Sequence, residues 1–212
     1  MAAEKAKKAK KDVTESWRVK ASPADPITKR EDIRRLREHF VKHYLHGQLY
    51  ALIFTLGCNL GLRAGDLLNL TVSDVYVKSH LEIFEKKTGK ARRIFINGRV
   101  RGALDKHISQ FLYITPQARL FGGQKGYVLT VKSLHRIIRA GCKAIGLTGN
   151  YGSHTMRKTF AYFAHEYTHD VRAVRRLLMH SSLAVTHAYV EPGEDERSYS
   201  RSDDEVYSGL NL

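Results

Sequence analysis

The sequence predicts an α+β domain, mostly helical, with one small three-stranded antiparallel sheet. Three observations lead there. Apolar residues recur at helical spacing through most of the chain, as at Ile33, Leu36, Phe40 and Tyr44. β-branched or alternating segments are confined to residues 75–97, where Lys87-Thr88-Gly89-Lys90 punctuates them. The chain has 212 residues, 42% of them apolar, which suits one domain with a real core and tails.

Residues 1–27 read as a polar, disordered, basic arm: a lysine-rich run lies near the start, and Pro23 and Pro26 close it. Thr28 followed by Glu31 reads as a capping box for the first helix. Residues 48–60 are apolar nearly all round, which predicts a buried central helix ended by Gly61. Arg63 follows at a helix junction. Residues 75–77, 80–86 and 91–97 are the expected strands, the last two joined by a tight hairpin at Gly89. Residues 99–113 and 131–145 read as amphipathic helices, the second capped by Thr130. Residues 119–130 and 146–152 are loops, and the second delivers His154 to the start of another helix. Residues 28–190 thus form the expected domain. After Val190 the composition flips: residues 191–212 carry seven acids against two arginines and read as an acidic tail, in which Val206, Tyr207 and Leu210 are the candidate apolar anchors.

The formal net charge of +15 implies an anionic partner, most simply nucleic acid. The basic arm adds sequence-blind, salt-dependent affinity for phosphates. Cys58 and Cys142 sit in apolar helical patterns and read as reduced core thiols. No apolar run reaches the length of a membrane span, so the expectation is a DNA-associated, cytoplasmic protein.

The residues that carry chemistry cluster between Ser153 and Val190. His154 and Arg157 stand three apart, on one face of a helix. His180 and Tyr189 are nine apart, and about 100° per residue would put them on opposite sides of an unbroken helix. If they act together the helix must break, and Ser181-Ser182 supplies an N-cap for a second short helix.

At these residues the chain resembles the tyrosine recombinase (phage integrase) family, whose signature is H-x-x-R, a histidine in an L-G-H-S type context, and a tyrosine nine residues on. Here the middle part reads Leu177-Leu178-Met179-His180-Ser181-Ser182, with methionine where glycine is usual. Gly61, Leu62, Arg63, Asp66, Leu67 and Leu70 match the family's G-L-R-x-x-[DE]-L-x-x-L context for its first arginine. Lys87 matches its hairpin lysine, with Lys86, Lys90 and Arg92 as rivals. The resemblance implies the catalytic domain of that family over residues 28–190, like the short integrases and DNA invertases. The family's helical core-binding domain has no room upstream, which fits a naturally short recombinase or a fragment. The resemblance also implies a homo-tetramer on a specific double-stranded DNA site, with the C-terminal segment docking onto a neighbouring protomer.

In-line attack on a phosphodiester adds charge to the equatorial oxygens, and preorganised cationic donors stabilise it. Arg63 and Arg157 suit that role because a planar guanidinium bonds two oxygens at once. His154 and His180 add donors and can exchange a proton with Tyr189, the expected nucleophile. The product would be a 3′-phosphotyrosyl link; the leaving 5′-oxygen needs a proton, which the family resemblance assigns to Lys87. No cofactor or metal is required. A type IB topoisomerase shares this chemistry. A rival pattern, His165-Glu166-x-x-His169, matches the zinc-peptidase signature, but its metzincin continuation is absent.

Overall fold

The computed structural model describes residues 24–84, 91–110, 115–122, 129–187, 189 and 201–212. Most of the basic arm, the hairpin tip with Lys87, Lys86 and Lys90, and the distal Tyr199 lie outside them.

Two helices form the axis of the domain. Helix α1 (Arg30–His43) packs on α2 (Gly47–Leu60), whose surface is buried almost all round, from Tyr50 through Leu60. Gly61 then takes a left-handed φ of 60°, which ends α2 where glycine was expected to end it. The expected capping box at Thr28 does not form. Helix α1 begins one residue later, with Lys29 as N-cap and no side-chain cap, and Glu31 instead accepts from Arg34 at 2.6 and 3.1 Å. Residues 24–27 pack on the domain rather than trailing from it: Ile27 is 2% exposed, and its N–H donates to the Thr159 hydroxyl at 2.9 Å.

The short helices α3 (Ala64–Leu68) and α4 (Val72–Val75) come next, then an antiparallel pair, β1 (His80–Phe84) and β2 (Ala91–Phe95), in the register His80 opposite Phe95 and Phe84 opposite Ala91. The sheet therefore has two strands among the described residues, not three. Residues 75–77 do not form the first strand, and the reason is local. The Asp74 carboxylate reaches back to accept from both the N–H and the hydroxyl of Thr71, each at 2.8 Å, which fixes a helical turn at Val72–Val75. Val77 then turns left-handed (φ 56°), breaking any extended run. The β-branched residues signalled burial of Val72 and Val75, not strand.

Asn97 caps α5 (Gly98–Ile108) by accepting from Val100 N–H, and Thr130 caps α6 (Val131–Ala144) by accepting from Ser133 N–H. Helix α7 (Ser153–Thr168) crosses α2 at a contact between Gly57 and Met156; a Cβ on Gly57 would collide with the Met156 side chain. Asp170 caps α8 (Val171–Leu178), and α9 (Leu183–His187) follows after Met179 (φ 52°) and the Ser181-Ser182 step. The helix does break before Tyr189: it ends at Leu178, just ahead of His180, and a new one starts at Leu183. Methionine stands in a left-handed position there, the conformation that favours glycine.

The acidic tail ends in α10 (Asp203–Leu210), which packs on α7, β2 and α2 of its own chain. Val206, Tyr207 and Leu210 are its apolar anchors, each 1% exposed. Its backbone is also held by buried amides. Asn97 donates to the Tyr207 carbonyl at 2.9 Å, while Asn59 donates to the Leu212 carbonyl and accepts from Leu212 N–H, both at 2.9 Å. Cys58 and Cys142 are free and buried, and burial pushes the Cys142 thiol up to about 12. No helix among the described residues is long and apolar enough to cross a membrane.

Two stability outcomes follow from this packing. Gly61→Ala combines left-handed strain with a collision against the Phe160 ring and should cost about 2–4 kcal/mol in urea unfolding. Asn59→Ala leaves the Leu212 backbone and the Asn97 amide without their buried partner; a loss of about 1–3 kcal/mol is expected by the same measurement. Wild-type unfolding curves for either variant would contradict the packing described.

Candidate active site

Arg157 is the residue around which the site is assembled. It lies one turn into α7 and is 3% exposed. One terminal nitrogen donates to the Gly61 carbonyl at 2.6 Å and the other to the Leu178 carbonyl at 2.5 Å. These carbonyls terminate α2 and α8, so the guanidinium sits at the negative ends of two helices. A guanidinium carries five N–H donors, and these two contacts engage only two of them. The Tyr189 phenol lies close enough to act on the guanidinium. Burial first, then Arg92 and Arg63, lower Arg157 to about 10, and Tyr189 opposes the shift.

Arg63 is the N-cap residue of α3, directly after the Gly61 turn, and is exposed. Its charge reaches Arg157, His180 and His154 alike. His154, in the first turn of α7, is also exposed; desolvation and the neighbouring Arg157 hold its imidazole below its ordinary value.

His180 is 8% exposed and follows the left-handed Met179. Its backbone is fixed at both ends to Arg175, whose carbonyl accepts from His180 N–H at 3.1 Å and whose Nε donates to the His180 carbonyl at 3.3 Å. Its Nδ1 lies 3.1 Å from the Thr186 hydroxyl, which donates onward to the Ser182 carbonyl at 3.4 Å. Desolvation, then Arg157, Arg63 and Arg92, push the imidazole down to about 3, so it is neutral near pH 7. The ring of Tyr189 rests against it, centroids 4.7 Å apart and planes at 57°.

The structure therefore brings Arg63, His154, Arg157, His180 and Tyr189 to one place from four segments. Lys87 lies outside the described residues. Two further cations join the site. Lys158, next to Arg157, is 8% exposed and places its ammonium 5.4 Å from the Tyr189 ring centroid. Arg92, on β2, donates to the Leu60 carbonyl at 3.2 Å and to the Tyr207 hydroxyl at 2.6 Å, while its charge reaches Arg157 and His180. Lys158 had no periodic signal in the sequence. Arg92 was visible only as one of several hairpin cations, because its partners are 32 and 115 residues away.

The rival zinc pattern is not assembled. His169 leaves the helix with a left-handed φ of 49°, and no group of three or more metal-type ligands occurs among the described residues. Exposed cations are numerous on two helices of the domain: Lys132, Arg136, Arg139 and Lys143 on α6, and Arg172, Arg175 and Arg176 on α8.

The phage integrase family model matches residues 28–196. "Probable integrase/recombinase YoeC" of Bacillus subtilis (strain 168) is 30% identical over 190 residues, which cover 87% of this chain and 97% of that protein. The tyrosine recombinase XerC of Pelobacter propionicus is 30% identical over 135 residues; the match takes in 64% of this chain but only 45% of XerC. Among solved structures, XerA recombinase superposes with a TM-score of 0.66 at 23% identity, covering 82% of this chain and 61% of that one. XerH site-specific recombinase bound to difH substrate also gives 0.66, at 22% identity, with 82% and 52% covered. At such identities the superpositions speak for the fold alone.

The His180 environment sets a pH dependence. An unfolded histidine titrates near ~6.5, whereas folded His180 is held near 3. Between those values the unfolded chain holds the extra proton, so this group's effect is absent above ~6.5 and destabilises the fold as pH falls. Between pH 6.5 and 5 it should remove at most about 2 kcal/mol. Urea titrations at pH 7.5, 6 and 5 should show a shallower loss for His180→Gln than for wild type. Identical slopes would mean that His180 takes its proton as freely folded as unfolded.

Proposed function

Because the chain belongs to the phage integrase family and is a tyrosine recombinase, an enzyme of DNA strand exchange, we propose that Tyr189 is its nucleophile, that Arg63, His154 and Arg157 hold the scissile phosphate, and that His180 receives the phenolic proton. The observation that carries this reading is the convergence of the Tyr189 phenol on a buried guanidinium and a neutral imidazole. The phenolic oxygen attacks phosphorus, and the bond to the 5′-oxygen breaks. The result is a 3′-phosphotyrosyl link and a free 5′-hydroxyl. The link conserves the phosphodiester for rejoining.

Arg63 and Arg157 hold the non-bridging oxygens, with the remaining donors of Arg157 turned to the phosphate. In the tautomer in which Nδ1–H donates to Thr186, His180 presents Nε2 as a lone pair, and neutral imidazole accepts the phenolic proton. Lys87 protonates the leaving 5′-oxygen. The partner is double-stranded DNA carrying a specific recombination site, and the working assembly is a homo-tetramer. In it, α10 moves from its own chain to the matching surface of a neighbour. A type IB topoisomerase activity is the second reading, distinguished by relaxation of plasmids that lack any recombination site.

A suicide substrate carrying the recombination site tests the assignment. Wild type should become covalently attached, and Tyr189→Phe should bind without attaching; attachment by Tyr189→Phe would remove Tyr189 from the role. Arg63→Lys should cut the attachment rate about a hundredfold while the fold keeps its stability, since Arg63 is exposed. Arg157→Lys should lose a comparable rate and also about 2–3 kcal/mol of stability, because an ammonium cannot bridge Gly61 and Leu178. Near-normal rates in both variants would dismantle the phosphate site.

A further inference from the structure

Lys158 has no part in the recombination chemistry described so far, yet its side chain ends on the nucleophile. Lysine is almost never fully buried unless paired, and here it is 8% exposed. Its ammonium lies 5.4 Å from the centroid of the Tyr189 ring, within the range of a cation–π contact. Successive residues of a helix project about 100° apart. Arg157 therefore turns inward to the Gly61 and Leu178 carbonyls, whereas Lys158 turns to the ring. Two adjacent cations thus act on one phenol, Arg157 through its charge and Lys158 at the ring.

We propose that Lys158 is a positioning residue for Tyr189, holding the phenol ring in place and favouring its ionised form. The proposal rests on the reading of Tyr189 as the nucleophile. The physical ground is that the contact strengthens as the phenolic proton leaves: a phenolate ring is richer in electrons than a phenol ring, so a nearby cation stabilises it more. An interaction that grows along the reaction raises the rate rather than only tightening the ground state. Other charged and titratable groups face the pair. Arg157 and His154 come from α7, His180 from the turn after α8, Arg63 from α3, and Arg92 from β2. Asp25, from the segment before α1, is the acidic group that acts on Lys158; it favours the charged ammonium, whereas burial opposes it.

The test measures the rate of covalent attachment to a suicide substrate at saturating DNA, from pH 6 to 9.5, for wild type, Lys158→Met, Lys158→Arg and Tyr189→Phe. Methionine keeps an unbranched stem without the charge, and arginine keeps the charge. Lys158→Met should react about tenfold more slowly near pH 7, with its rising limb displaced by about one pH unit and its rate approaching wild type at high pH. Lys158→Arg should keep the wild-type limb. If Lys158→Met fails to fold, Lys158→Gln makes the same comparison. An unshifted limb in the neutral variant overturns the proposal, whether its rate is normal or uniformly reduced. So does an equal shift in Lys158→Arg. Attachment by Tyr189→Phe would instead overturn the nucleophile assignment underneath. An inert Tyr189→Phe beside an unshifted Lys158→Met sinks only the role of Lys158.

Discussion

The guanidinium of Arg157 is the tie on which the rest of the site depends. By donating to the Gly61 and Leu178 carbonyls it closes two helices whose last carbonyls would otherwise lie buried without partners. The same contacts fix the distance between the Arg63 turn and the His180 turn, since each begins within two residues of one carbonyl. The guanidinium around which the candidate site gathers is thereby also a tie that holds the fold. This is an economical way to keep a cationic site from relaxing: the charge is immobilised by helix ends before any substrate arrives, as electrostatic preorganisation requires.

Gathering so much positive charge in a partly dry site has a second effect. Arg63, Arg92 and Arg157 act together on His180, and Arg63 and Arg157 act on His154, so both imidazoles are held below their ordinary values. Each is a hydrogen-bonding group rather than a further cation in the DNA-free protein. Any anion placed beside them would bring the opposite charge and relieve that pressure, by Coulomb's law alone.

The C-terminal segment is built into the same framework. Asn59 and Asn97 receive the Tyr207 and Leu212 backbone in a buried polar slot, and Arg92 joins the Tyr207 hydroxyl to the Leu60 carbonyl beside the Gly61 turn. A side chain that contributes to the field at His180 is therefore in contact with α10. Tyr189 precedes this segment, so the chain on its C-terminal side returns to a surface that also shapes the site.

Local signals were sufficient for much of this. The helical periodicity of Ile33, Leu36 and Phe40, the stop at Gly61, the cap at Thr130, and the break before Tyr189 each depend on neighbours within a few residues. The H-x-x-R spacing and the Gly61–Leu70 context singled out Arg63, His154, Arg157, His180 and Tyr189, which the fold places near one another. Residues 75–77 misled for a reason equally local but weaker in appearance: one carboxylate, Asp74, outweighed a run of strand-forming side chains. Tertiary structure alone decided the burial of Lys158 against Tyr189, the bridge made by Arg92, and the docking of Val206, Tyr207 and Leu210 on their own chain. It also decided the double carbonyl tie of Arg157. Each of these joins residues far apart in sequence or through a turn whose direction no spacing encodes. Charge and motif could name the candidate groups, but packing had to set which of them lie together and how strongly each feels the others.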